Sequence, residues 1–460
     1  MQAPLPDRPP IGLPGLFYGW TIVAVLGYVG AITIMLAGPN LGLFIKPMGE
    51  VLGISAAMFG WCQTVRALAG AVSGPLLGRL MDVYGPRYLL AGAAVVSGVL
   101  TILMAQVSQA WQLLVLFAGL GLIGMSGPAQ LYTVVPISKW FIRQRSRAFS
   151  LLFFGLVMGP TFLLPINQLL IDGIGWSATW VIIGLLAAIT ITPISVIFLR
   201  RQPEDLGLLP DGDPLVAEPA IPNWPVSGEA VAVAPILVAP IIRAVAEERS
   251  WTRDEAMHTR AFWSLGLAFS FTFFAGGSFV LFRIAHFVER GMDPTVVALG
   301  ASADAFMFGL FALAGGVLGD RVPARLLAVG AFGTMFIAVV LVIFADSVPL
   351  MIFANGLWGS AAGANNIAQQ IMWASYFGRA HQGSIRGVVA PLTVTIGSIS
   401  GPLAGTLREL TGSYTTAWWI AAGLVLVGGL LVARTSVPIW KPRGQESPPL
   451  DPTTLSLSQP

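Results

Sequence analysis

One cysteine, three histidines and a charged fraction of only 10% are what this 460-residue sequence has little of. A lone cysteine, Cys62, excludes an intrachain disulfide and any cysteine-built metal site. The histidines, His258, His286 and His381, are scattered, and no His/Cys/Asp/Glu group has metal-ligand spacing, so neither a metal nor another cofactor is expected. A membrane-embedded enzyme would need a nucleophile–base or metal constellation at one depth, and these residues do not supply it. Soluble domains carry about 25% charged residues. A chain with so few charges, 55% hydrophobic residues and mean hydropathy +0.78 cannot cover its surface with polar groups in water. The net charge of +3 is too small to imply a nucleic-acid partner.

What is present is long apolar runs. A membrane helix needs about 20 mostly apolar residues. Such runs lie at about 18–38, 57–78, 88–106, 111–138, 148–170 and 178–199, then at about 262–284, 296–318, 325–344, 349–374, 385–407 and 415–434. Twelve spans put both termini on one side of the bilayer. With that side cytoplasmic, twenty of the 25 Lys and Arg fall inside and four outside (Lys46, Arg283, Arg290 and Arg408), with Arg66 within a span. The expectation is a multi-pass protein of the cell (inner) membrane: a cytoplasmic tail over 1–17 without a signal-peptide cleavage site, one set of six spans over 18–199, a cytoplasmic linker over 200–260, a second set over 261–434 and a cytoplasmic tail over 435–460. The linker opens as a Pro-, Gly- and acid-rich segment. It ends in SWTRDEAMHTRAFW, where Thr252 and Glu255 have capping-box spacing; this is either a helix on the inner membrane face or an extension of the seventh span.

The two sets of spans repeat each other. Asp82 of GRLMD and Asp320 of GVLGD are separated by the same interval as Trp180 and Trp418, and Trp140-Phe141 and Tyr376-Phe377 by an interval only two positions shorter. Duplicated six-helix units are an architecture of secondary transporters, with the binding site near the midplane between them. A receptor or a membrane enzyme has no need of such a duplication.

GRLMDVYGPRY (78–88) resembles the loop motif of the major facilitator superfamily, G-x-x-x-D-R-x-G-R-R/K, with Val83 in place of the usual Arg; GVLGDRVPAR (316–325) is its second copy. FYGW (17–20), SKWFIRQRSRAFS (138–150), FLRRQPEDLGLLPDG (198–212), TRAFW (259–263) and LTGSYTTAW (410–418) are similar to strings of the bacterial monocarboxylate-porter and oxalate/formate-antiporter branch. The resemblance covers nearly the whole chain. It implies an all-α membrane protein of twelve transmembrane helices in two pseudo-symmetric six-helix halves, moving a small organic anion by alternating access with a proton as the default co-substrate. Function as a monomer in the lipid bilayer is expected. It also implies gating roles for Arg79, Asp82 and Arg87 in the first loop motif and for Asp320 and Arg321 in the second. A carboxylate at a helix terminus beside arginines can lock the halves on the inner side; alternatively these charges only set topology. Branch members carry a carboxylate-anchoring Arg in the eighth span where this chain has Ala312. The cation has moved, or the cargo is another metabolite or a drug leaving the cell. A membrane-embedded sensor without transport is the other alternative.

Ionisable groups within spans are costly and functional by default. Arg66 and Asp304 lie at matching points, each about three helical turns before the motif glycine of its half, Gly78 and Gly316, with opposite signs. Arg66 is a candidate anion anchor and Asp304 a candidate proton carrier; otherwise they form a structural ion pair, or each has a partner in its own half. Arg283 and His286, three apart near the outer end of the seventh span, share a helix face. Arg283 is a second cation candidate or snorkels to the interface, and His286 is a second titratable candidate or an interfacial residue. The tenth span, GANNIAQQIMW, offers Asn365, Asn366 and Gln369, and the fourth offers Gln130 and Tyr132; amides and a phenol can hydrogen-bond a substrate or bind helices together.

Overall fold

A computed structural model describes residues 17–36, 38–124, 131–141, 144–212, 251–319, 321–378 and 381–438. Gln130, Asp320, most of the N-terminal tail, the middle of the linker and the C-terminal tail from 439 lie outside the described residues, as does the side chain of Asp82. Every regular element among the described residues is helical. That is the solution lipid imposes, since a helix satisfies its own backbone N–H and C=O groups.

The N-terminal elements are α1 (Tyr18–Met35), α2 (Gly38–Leu52), α3 (Ala56–Tyr84), α4 (Pro86–Leu103), α5 (Ala110–Ile123), α6 (Leu131–Trp140), α7 (Arg145–Leu186) and α8 (Thr192–Phe198). The C-terminal ones are α9 (Arg253–Met257), α10 (Arg260–Glu289), α11 (Pro294–Gly319), α12 (Ala324–Phe344), α13 (Val348–Phe377), α14 (Gln382–Thr411) and α15 (Thr415–Arg434). Among the described residues eight stretches are long and apolar enough to cross a membrane, α1 and α2 counting as one stretch of 35 residues. The 29-residue α3 and 30-residue α13 match them in length but are more polar, because they carry Gln63 and Arg66 and the amide run of 365–370.

The 42-residue α7 is broken at Gly175 (φ 85°, ψ 163°), a conformation open essentially to glycine alone. The break falls between the expected fifth and sixth spans. A π-turn, Ala187–Ile191, precedes Pro193, which has no N–H to give to the preceding turn.

The end of the linker forms a helix of its own. In α9 the Thr252 N–H donates to Glu255 Oε2 at 2.9 Å and the Glu255 N–H to Thr252 Oγ1 at 3.4 Å. A second cap, Thr259 Oγ1 accepting from the Phe262 N–H at 3.2 Å, starts α10 separately, so this segment does not extend the seventh span.

Four of the strings behind the family resemblance, FYGW, SKWFIRQRSRAFS, FLRRQPEDLGLLPDG and TRAFW, lie at one end of the bundle. Phe17 and Tyr18 pack on Trp140 at 5.9 and 5.7 Å, and Trp20 packs on Phe141 at 4.8 Å. The Tyr18 hydroxyl donates to Phe198 O at 2.9 Å. In the C-terminal helices Phe262 of TRAFW packs on Trp373 and Phe377 in the same way, and Trp251 donates its backbone N–H to Phe377 O at 3.0 Å. We call this the near end. At the far end Trp180 stacks on Phe44 of α2 at 4.0 Å and its repeat mate Trp418 packs on Phe279 of α10 at 5.7 Å.

Within the N-terminal helices α1 and α4 pack on α7, and α3 on α5; within the C-terminal ones α11 and α12 pack on α13, and α14 and α15 on α10. The two groups touch through α3 with α14, α7 with α11 and α2 with α10. The contacts between them run from the far end to about the middle: Ala57 with Glu409, Gly60 with Gly401, Thr64 with Ser398, and on the other side Asp172 with Thr295, Pro160 with Ser302 and Val157 with Gly309.

Candidate functional site

The helical repeat fixes which way α3 presents its polar residues. Ala57, Gly60 and Thr64 face α14, Arg66 and Ala69 lie against Gly121 of α5, and Trp61, Leu68, Val72 and Leu76 are exposed, on a lipid-facing sector. Gln63 falls in the remaining sector, toward the bundle interior, and Arg66 borders it one turn on. Both are half-buried. The Nε and Nη1 of Arg66 and both amide atoms of Gln63 are buried without a hydrogen-bond partner among the described residues. Gln63 was not singled out by the sequence; its sign was there, an amide three positions from a cation within a span.

Asp304 occupies the matching place. An added Cβ at Gly121 would collide with the Arg66 carbonyl, and one at Gly359 of α13 with the Asp304 carbonyl; Gly121 and Gly359 are separated by the same interval as Arg66 and Asp304. The electrostatics are not matched. The Asp304 carboxylate (residue exposure 8%) accepts from Arg283 Nη1 of α10, and Arg283 (2%) also donates Nη2–H to Ala301 O at 3.4 Å. The guanidinium sits over the Phe279 ring, 5.2 Å from its centroid. Arg283 therefore does not snorkel: a carboxylate within reach on α11 holds it inside the bundle. Nor do Arg66 and Asp304 pair with each other; Asp304 has its partner within the C-terminal helices.

His286 is not interfacial either. It is buried one turn from Arg283, its Nε2 3.4 Å from Val342 O and its ring edge-on to Trp418 at 5.7 Å. Those contacts lie on α12 and at the start of α15, away from α3 and α7.

Tyr132 is buried and its hydroxyl already donates to Ile123 O at 2.9 Å, bridging the ends of α5 and α6, so a substrate would have to displace that bond. Asn365 is buried, with Nδ2–H donated to Thr272 Oγ1 of α10 at 3.4 Å and Oδ1 unpartnered among the described residues. Asn366 is exposed and Gln369 half-buried on the same helix. Of the loop-motif residues, Arg79 and Arg321 are exposed at the near end and Arg87 lies 5.2 Å from the Tyr88 ring. A buried amide pair escaped sequence inspection: Asn167 Nδ2–H donates to Asn40 Oδ1 at 3.0 Å, tying α7 to α2.

Helices that cross an apolar layer are thus interrupted by a buried ion pair and by a cation without a counter-ion among the described residues. The profile of the Major Facilitator Superfamily matches residues 20–290 and again 265–458. The chain belongs to the major facilitator superfamily. Among its superfamily relatives, human monocarboxylate transporter 11 is 25% identical over 446 residues, covering 92% of this chain and 84% of that protein. Monocarboxylate transporter 13 of Bos taurus is 23% identical over 447 residues, covering 94% of each. Among solved structures a point mutant of the nucleoside transporter NupG superposes with a TM-score of 0.65 at 14% identity, covering 90% of this chain and 99% of that one. A bacterial homolog of the human lysosomal transporter Spinster, in an inward-facing, occupied conformation, gives 0.60 at 14% identity, covering 90% and 94%. The protein is thus a multi-pass membrane transporter of this superfamily, and not an enzyme.

Proposed function

We propose that the chain crosses the membrane twelve times in two six-helix halves and carries a small organic anion, a monocarboxylate, together with a proton. The span count is supported by the eight apolar stretches, the break of the longest at Gly175, the length of α3 and α13, and the succession of α5 and α6. The basic-residue bias supports a cytoplasmic near end, in the inner membrane, with function as a monomer. Contacts that, among the described residues, lie at the far end and the middle then correspond to the inward-open state of alternating access. Arg79, Asp82, Arg87, Asp320 and Arg321 sit on the cytoplasmic side, where they close the inner gate in the opposite state.

The observation that carries the substrate class is the guanidinium of Arg66: a cation within a span, partly buried and without a counter-ion among the described residues, while its repeat mate Asp304 has one. A buried charge left unpaired is destabilising by several kcal/mol, about 3–5 where one partner of an ion pair is removed. A carboxylate arriving from the cytoplasmic side supplies the missing charge, and a planar guanidinium grips it with two parallel bonds. Gln63 and the Asn365 Oδ1 complete the polar lining. The names of the similar transporters point the same way. Asp304 takes the proton: protonation removes its charge-assisted bond to Arg283, and anion and proton then cross as a neutral sum. Absence of the eighth-span arginine at Ala312 keeps a second reading alive, an exporter of another metabolite.

Uptake of a panel of labelled monocarboxylates into proteoliposomes, with and without a pH gradient, tests this. The expected result is gradient-driven accumulation of at least one, abolished by Arg66→Ala in protein that still purifies. No accumulation of any carboxylate, or undiminished accumulation by Arg66→Ala, overturns it.

A further inference from the structure

The contacts that close the far end occur as two matched pairs. The Ala57 N–H, in the first turn of α3, donates to Glu409 Oε1 near the end of α14 at 2.9 Å. The Thr295 hydroxyl, in the first turn of α11, donates to Asp172 Oδ2, shortly before the break in α7, at 3.2 Å. Ala57 and Thr295 are separated by the repeat interval of Arg66 and Asp304, and Asp172 and Glu409 by that interval less one position. One level deeper the Thr64 hydroxyl donates to Ser398 O at 2.5 Å and the Ser302 hydroxyl to Pro160 O at 3.4 Å. Thr64 and Ser302 again show the repeat interval, as do Pro160 and Ser398. The repeat spacing therefore holds for both members of the deeper contacts and, to within one position, for those at the rim. One two-tier latch is made twice: a hydroxyl-to-carbonyl bond near the middle and, at the rim, a carboxylate that accepts from the first turn of a foreign helix, from the Ala57 backbone N–H on one side and the Thr295 hydroxyl on the other.

The rim carboxylates are held for this task. Gln168, buried, donates to Asp172 Oδ1 at 2.8 Å and leaves Oδ2 for Thr295. Arg408 is engaged with Glu289 inside the C-terminal helices at 3.0 Å, so it does not take Glu409 away from α3. At α3 Glu409 takes a backbone N–H at the positive end of the helix dipole; at α11 Asp293 caps the Val296 N–H at 3.0 Å and Asp172 takes the Thr295 hydroxyl. Neither carboxylate lies near Arg66, Asp304 or the loop motifs.

We infer that Asp172 and Glu409 are the gate residues of the far side: each accepts a hydrogen bond from the first turn of a helix in the opposite half, and together they hold the transporter closed there and open at the near end. This rests on the alternating-access reading above. Both contacts must break in one rocking motion, so their losses act on one equilibrium and their effects multiply. Each neutralisation should raise the population open at the far end by about two- to fivefold, and the pair by about the product.

The test uses the full chain in liposomes, with Cys62 replaced by Ala and spin labels on exposed positions. One label pair, Val51→Cys with Leu410→Cys, spans the far end; another, Tyr84→Cys with Leu326→Cys, spans the near end. Asp172→Asn with Glu409→Gln should lengthen the far-end distances and shorten the near-end ones in matched proportion, each single change doing part. Arg408→Gln, which breaks an ion pair of similar exposure within one half, should leave both distributions as they were. Unshifted distributions in the double variant, an equal shift by Arg408→Gln, or far-end lengthening without near-end shortening would overturn the inference. If neither distance pair ever shows a second population, under any substrate condition, alternating access itself falls; if rocking occurs but the gate variants leave it alone, only the gate assignment falls.

Discussion

At the scale of single residues, the proposed transport chemistry rests on three charges, of which two cancel. Arg283 and Asp304 are both almost wholly buried and bonded to each other, whereas Arg66 has no such partner among the described residues. Removing one member of a buried pair strands the other, at a cost of about 3–5 kcal/mol, while removing both can be nearly neutral. Arg283→Gln and Asp304→Asn should therefore each lower thermal stability in detergent strongly, and the double variant should regain most of it. The same cycle on Arg66→Gln with Asp304→Asn should give additive effects, within about 0.5 kcal/mol, because these two do not touch. Strong coupling between 66 and 304 would mean that the pairing has been assigned wrongly. Arg66→Lys should recover part of the binding lost in Arg66→Ala, since a point charge replaces a planar fork; binding at the full wild-type level would argue against two-bond grip of a carboxylate. The charges themselves were legible in the sequence, because each interrupts an apolar run. The partner of Asp304 was not. Arg283 lies on a different helix, and whether such an arginine reaches water or a carboxylate depends on how α10 and α11 pack.

Among the elements, two glycines make turns that the hydropathy pattern alone does not announce. Gly85, in the first loop motif, joins α3 directly to α4 at φ 75° and ψ 171°, and Gly175 breaks α7 at φ 85° and ψ 163°. Both lie in a region nearly closed to residues with a Cβ, where strain is of order 1–3 kcal/mol. Gly85→Ala should thus lower stability by about that amount, read as a reduced melting temperature in detergent, even though the added methyl's nearest neighbour, the Arg201 Cβ at 3.3 Å, needs to shift only slightly. An unchanged melting temperature would show that the turn relaxes freely. Here the sequence was informative about order and nearly silent about joints. The apolar runs at 148–170 and 178–199 were legible as two spans, yet the turn between them is a single residue's geometry. The amide-rich tenth span was legible as a polar helix, but only packing decides that Asn365 faces Thr272 while Asn366 is exposed. Tyr132 illustrates the same limit, since its hydroxyl goes to the backbone across the α5–α6 break.

Across the whole molecule, the repeat that sequence offsets hinted at organises both the site and the closed end. Arg66 and Asp304 sit against Gly121 and Gly359, and the two latches at the far end obey the same spacing. On the proposed function, a pseudo-twofold arrangement with unlike charges at its matched points is symmetric enough to rock and asymmetric enough to bind one anion in one place. It also makes sidedness measurable. On the proposed orientation the near end lies in the cytoplasm, and contacts between the helix groups close the far end. A water-soluble reagent should then reach the interior from the cytoplasmic side alone. With Cys62 replaced by Ala, three single cysteines separate the possibilities. Lys46→Cys, exposed at the far end, should react with an impermeant thiol reagent in intact cells. Glu204→Cys, exposed where the linker begins, should react only after permeabilisation. Gln63→Cys, on the interior sector of α3, should behave like 204 in the resting protein. In the Asp172→Asn, Glu409→Gln background it should gain reactivity in intact cells, because a reopened far side admits the reagent from outside. Labelling at 204 in intact cells would invert the orientation, and labelling at 63 in intact cells without the gate changes would mean that the resting protein is open at the far end.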